Sequence, residues 1–107
     1  MLLSEADIKR IENLGFSFDY FVDYFDGWLR LKNIDGRCVF HDGKKCLIYK
    51  YRPEGCQFYP IIFDKDNNKA VLDRECPYKT KFFITNNIRK KLFNLVSRVE
   101  YERMQRL

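Results

Sequence analysis

The sequence predicts one small α+β domain over residues 1–107, with two short N-terminal helices, irregular β-hairpins and a long C-terminal helix. Three observations carry this reading. A chain of 107 residues suits one hydrophobic core of modest size. Aromatic side chains make up 17% of it, and their large buried areas offset the 33% that is charged. The apolar residues also change period, with helical spacing at both ends and alternation between turn residues in the middle.

At the start, Ser4 stands as an N-cap with acidic Asp7 three positions on, and Ile8, Ile11 and Leu14 follow at helical spacing. Gly15 is a natural stop. Ser17 then caps a second short helix whose apolar face is Phe18, Phe21, Val22 and Phe25, with Gly27 as its end. From Trp28 the spacing alternates, so Trp28, Leu29 and Leu31 are expected to pair with Cys38-Val39-Phe40 across Asn33, Asp35 and Gly36. A second turn, His41 to Lys45, delivers Cys46. Arg52-Pro53-Glu54-Gly55 reads as a turn or a single helical turn. Pro60 to Phe63 and Ala70 to Leu72 read as a hairpin across Asp64 to Lys69, a stretch that lacks the Gly and terminal Glu of a calcium loop. Ile88, Leu92, Leu95, Val96 and Val99 fall on one face of a helix from about Thr85 to about residue 104.

No apolar run approaches the roughly 20 residues of a membrane span, and MLLSEADIKR places charges where a signal peptide would be apolar. The expectation is a cytoplasmic protein with no membrane contact. The net charge is +5, and all of the excess lies at the C-terminal end. Residues 79–107 hold eight basic and two acidic side chains, against 12 basic and 13 acidic in the preceding 78 residues.

Four cysteines, Cys38, Cys46, Cys56 and Cys76, are separated by seven, nine and nineteen residues. In a reducing compartment such a set serves as metal ligands or redox groups more often than as two structural disulfides, the competing reading. The spacing is not that of a tight CxxC knuckle, but each cysteine has Gly or Pro within three positions: Gly36, Gly43, Gly55 and Pro77. Thiolates converging on one ion need bent, rigid backbone, which these residues supply. Four thiolates hold one structural zinc at about 2.3 Å per bond, or an iron–sulfur cluster. His41, three residues after Cys38, is either a further ligand or an exposed turn histidine, and Arg37, Lys44, Lys45 and Arg52 would offset thiolate charge. Tyr49, Tyr51, Phe58 and Tyr59 read as packing around a metal loop, with hydroxyls able to donate to sulfur.

The series Gly36-Arg37-Cys38-Val39-Phe40, Lys45-Cys46-Leu47-Ile48-Tyr49, Arg52-Pro53, Cys56 with Phe58-Tyr59-Pro60, and Cys76-Pro77 resembles the YkgJ-type cysteine-cluster family, described as a zinc- or iron-chelating domain. The resemblance runs from about Leu3 through Pro77. It departs in two places. The family's usual C-x-x-C-C segment ahead of Met1 is missing, and Gln57 stands where members usually carry Arg. The resemblance implies a bound metal, with Cys38, Cys46, Cys56 and Cys76 as the ligands available here.

Three functions compete. The first is a non-catalytic metal-binding domain holding one zinc. The second is an iron–sulfur oxidoreductase, or a component of a protein-modifying, methylase-like system, as some relatives are called; an iron–sulfur centre would need an exposed cluster or a protein partner for electrons to enter. The third is nucleic-acid binding by the C-terminal helix, but Arg89, Lys90 and Lys91 are consecutive and fan around a helix, as a solvated polar face does.

Overall fold

The computed structural model describes residues 1–73 and 83–107; Cys76 and Pro77 lie outside the described residues. Helix α1 (Glu5–Glu12) begins as the sequence predicts. Ser4 Oγ accepts from the Asp7 amide at 3.1 Å and Asp7 Oδ2 accepts from the Ser4 amide at 3.0 Å, a complete capping box. Ile8 and Ile11 are buried; Leu14 lies beyond the helix end and is exposed.

The second element is shorter than expected. Helix α2 covers only Phe18–Phe21, and the chain then becomes strand β1 (Val22–Phe25), which pairs antiparallel with β2 (Trp28–Leu31). Asp26 and Gly27 connect them with φ of 52° and 82°, the positive pair that matches the twist of a two-residue hairpin. Val22 and the aromatics beside it favour a strand once β2 offers a partner, and of the four residues assigned to one helical face only Phe21 and Val22 are buried. The partner of Trp28–Leu31 is therefore upstream, and Cys38 belongs to a separate small hairpin. That hairpin pairs β3 (Asn33–Ile34) with β4 (Arg37–Cys38) over Asp35 and Gly36, again with φ of 52° and 78°. On the other edge of β2, Leu3 N donates to Leu29 O and Leu31 N donates to Met1 O, so the first three residues run alongside it.

A 3₁₀ turn (Tyr49–Tyr51) leads through Arg52 and buried Pro53 into α3 (Glu54–Phe58). Strands β5 (Ile61–Asp64) and β6 (Lys69–Leu72) form the predicted hairpin. Helix α4 (Asn86–Arg106) is capped by Thr85, whose hydroxyl accepts from the Ile88 amide, and it buries Leu92, Leu95 and Val99.

Two apolar clusters result. One gathers Leu3, Ile8, Ile11, Phe21, Val22, Leu29, Leu31, Phe40 and Ile48; the other packs β5, β6 and α4 through Ile61, Ala70 and Leu92. The basic side chains of α4 tie it to the N-terminal half. Arg98 meets Glu54 at 2.7 Å, Arg103 donates to Asp26 O and lies 4.6 Å over the Trp28 ring, and Arg106 donates to Gly27 O at 2.9 Å. Three of the eight basic side chains of residues 79–107 thus dock the helix.

Candidate metal centre

Cys38, Cys46 and Cys56 reach the same region from three different elements. Cys38 ends β4, and its carbonyl accepts from His41 N at 2.9 Å, which starts a sharp reversal. The loop that follows is held by its own polar groups. Asp42 Oδ1 accepts from the Lys44 and Lys45 amides at 2.8 and 2.9 Å, and these bonds hold its carboxyl below the usual carboxylate range. His41 and Cys46 form a β-bridge at the loop's neck, and Leu47 N donates to Phe40 O. Phe40, between the first two cysteines, is fully buried against Phe16, Tyr20 and Phe21. The loop is therefore anchored by one ring and closed by backbone pairing, which returns Cys46 toward Cys38.

Cys56 arrives on α3. The turn before it is stiffened as the Arg52-Pro53 pair implies: Pro53 is buried, Arg52 Nη1 donates to Tyr49 O at 2.8 Å, and the Arg52 guanidinium stacks 4.2 Å from the Tyr49 ring. All three cysteines are unpaired, half-buried and packed against the cluster built around Phe40. Their proximity shows in the acidity of Cys56. Burial pushes its thiol from 9.0 up to about 11, the neighbouring Cys38 adds to the rise, the N-terminal amine opposes it, and Cys46 and Asp7 raise it further.

Among the described residues, no three His, Cys, Asp or Glu side chains stand as a ready-made metal cage. The donor chemistry nevertheless fits a thiophilic ion: three free sulfurs, partly shielded, packed against one core cluster and set on bent backbone. A recess of about 360 Å³, lined by Ile34, Arg37, Cys38, Val39, His41 and Asp42, opens the Cys38 side to solvent.

Several expected contributors have other partners or lie exposed. His41 is exposed and its Nδ1 accepts from the Gly43 amide at 3.0 Å, which leaves only Nε2 as a donor to metal. Arg37 lies against Gly43, and Arg52 is engaged with Tyr49. Tyr59 directs its hydroxyl to Asp73 Oδ2 at 2.7 Å. Tyr49 and Tyr51 are exposed. The residue that sequence reasoning missed is Asp7. Read as a helix cap, it also accepts from the Glu54 amide at 3.1 Å, two positions before Cys56. No local pattern announces a contact across 47 residues.

Comparison with known proteins agrees with this chemistry. A protein of Methanocaldococcus jannaschii, named only as uncharacterized, is 40% identical over 55 residues, 49% of this chain and 30% of the relative. The chain thus spans less than a third of that relative's length. No solved structure matches. The model of the CxxCxxCC family, described as a zinc- or iron-chelating domain, matches residues 1–77, and the chain belongs to that family.

Proposed function

We propose that the protein holds one metal ion, zinc, through the thiolates of Cys38, Cys46, Cys56 and Cys76, and that this ion staples the fold. The observation that supports it most is the convergence of three free cysteines from β4, the following loop and α3 onto one core cluster, near enough for Cys38 and Cys46 to raise the Cys56 pKa. Cys76 is the fourth sulfur of the chain and completes a tetrahedral set. When bound, zinc supplies cross-linking of segments far apart in sequence, with four sulfur bonds that the unfolded chain cannot make in concert.

The protein's own residues do the rest. Phe40 anchors the loop that carries Cys46, the Asp42 turn fixes its reversal, and Pro53 with Arg52 fixes the approach to α3. At neutral pH Cys56 carries its proton in the metal-free protein, so metal uptake releases that proton.

The test is a visible spectrum with a sulfide assay on anaerobically purified protein, followed by chelation under circular dichroism. The expected result is a colourless protein without sulfide whose melting temperature falls when zinc is withdrawn. Absorption in the 400 nm region with matching iron and sulfide would replace zinc by an iron–sulfur centre, and an unchanged melting temperature after chelation would remove the stapling role.

A further inference from the structure

Asp7 is fully buried, and its carboxylate is shared between two tasks. Oδ2 closes the capping box by accepting from the Ser4 amide. Oδ1 does something a cap does not need: it accepts from the Glu54 amide at 3.1 Å, the first residue of the helix that carries Cys56. Arg10 doubles the link. Its Nη2 donates to Asp7 Oδ1 and to the Arg52 carbonyl, both at 3.0 Å. Residues 52 and 54, on either side of Pro53, are thus fastened to α1 by two charge-assisted bonds.

Helix α3 is also tied by the Arg98–Glu54 pair, whose side chains are 43% and 28% exposed, so solvent weakens it, and by exposed Gln57, whose Nε2 donates to the Arg52 carbonyl at 3.2 Å. The buried tether comes from Asp7. A ligand must be held within a fraction of an ångström to favour one metal geometry, and groups that fasten its backbone belong to the site as much as the sulfur does.

We propose that Asp7, braced by Arg10, is a positioning residue of the metal centre, setting where Cys56 presents its sulfur by fixing the start of α3 to α1. This rests on the metal reading above, and the experiment separates the two.

The 107-residue chain, with Asp7→Asn, Ser4→Ala and Arg10→Met variants, is titrated with cobalt(II) while cobalt–thiolate absorption is recorded; amide exchange of the metal-free proteins is followed at Glu54. Ser4→Ala removes the hydroxyl half of the cap and leaves the Asp7–Glu54 bond, so it lowers the melting temperature without changing cobalt affinity. Asp7→Asn weakens cobalt binding by about 10- to 100-fold and speeds exchange at Glu54. Arg10→Met moves affinity in the same direction by less. An Asp7→Asn protein with the affinity of Ser4→Ala overturns the positioning role and leaves Asp7 a cap. Should Asp7→Asn not fold, Arg10→Met decides, since the Arg10 side chain is 33% exposed: unchanged affinity overturns the role, weakened affinity supports it. A wild-type chain without a cobalt–thiolate band overturns the metal reading itself, and this role with it.

Discussion

Replacing Phe40 by alanine removes a ring that is completely shielded and that sits on the short loop between Cys38 and Cys46. The ring meets Phe16 edge-on at 4.9 Å between centroids, with Phe21 at 5.8 Å and Tyr20 at 6.0 Å. Deletion of a buried Phe costs about 3–5 kcal/mol, and the edge contacts place this one in that range instead of below it. A domain of this size has a total stability on the order of 5–15 kcal/mol, so the loss takes about a fifth or more of it. At roughly 4–8 °C per kcal/mol, the melting temperature falls by about 12–40 °C. Metal offsets this: at a free concentration a thousandfold above the dissociation constant, binding contributes about 4 kcal/mol. Phe40→Ala is therefore expected to fold when loaded and to unfold when chelated, at a temperature where the wild-type chain survives chelation better. Paired melts by circular dichroism, with and without chelator, read both effects. A metal-free Phe40→Ala protein within about 1 kcal/mol of wild type would refute the anchoring role.

Two further outcomes follow from the same geometry. At Gly27, φ is +82° and an added Cβ would lie 2.9 Å from Leu107 Cδ2 and 3.0 Å from Arg103 Cγ, so Gly27→Ala is expected to cost about 1–3 kcal/mol. Amide exchange should rise in the last turn of α4; a silent variant would show that this end of the helix is not docked there. The raised pKa of Cys56 fixes the sign of a pH effect in the metal-free protein. Below pH 9.0 the thiol is protonated both folded and unfolded and contributes nothing, whereas between 9.0 and about 11 the unfolded chain ionises first and stability declines. Denaturant midpoints at pH 8 and pH 10 should show the drop in wild type and a smaller one in Cys56→Ala; equal drops would mean that Cys56 is not the group responsible.

How much could be read beforehand depended on whether the deciding contact was local. The capping box of Ser4 and Asp7, the face of α4 and the Ile61–Asp64 hairpin with its Lys69–Leu72 partner rest on neighbours in sequence, and all were visible. Phe18, Phe21, Val22 and Phe25 fit a helix by spacing, but strand pairing with Trp28–Leu31 claims the second half of that stretch, and pairing is a tertiary choice. The signal that would have corrected it was Asp26-Gly27, a hairpin dipeptide first read as a helix stop. The basic C-terminal segment reads as a solvated polar face, and what the sequence does not show is that Arg98, Arg103 and Arg106 turn back onto Glu54, Asp26 and Gly27. For the site itself, cysteine spacing and flanking Gly and Pro single out four sulfurs; the structure packs Cys38, Cys46 and Cys56 against one core cluster, and Cys76 lies outside the described residues. Asp7 remained hidden because its second partner is 47 residues away.

The central claim is that four cysteines share one ion, and metal content measures it most directly. The anaerobically purified chain would be analysed by mass spectrometry beside Cys38→Ser, Cys46→Ser, Cys56→Ser and Cys76→Ser. About one metal per chain in wild type, reduced in every one of the four variants, is the predicted result. Wild-type protein without metal, or a variant among the four that retains its full complement, would contradict it.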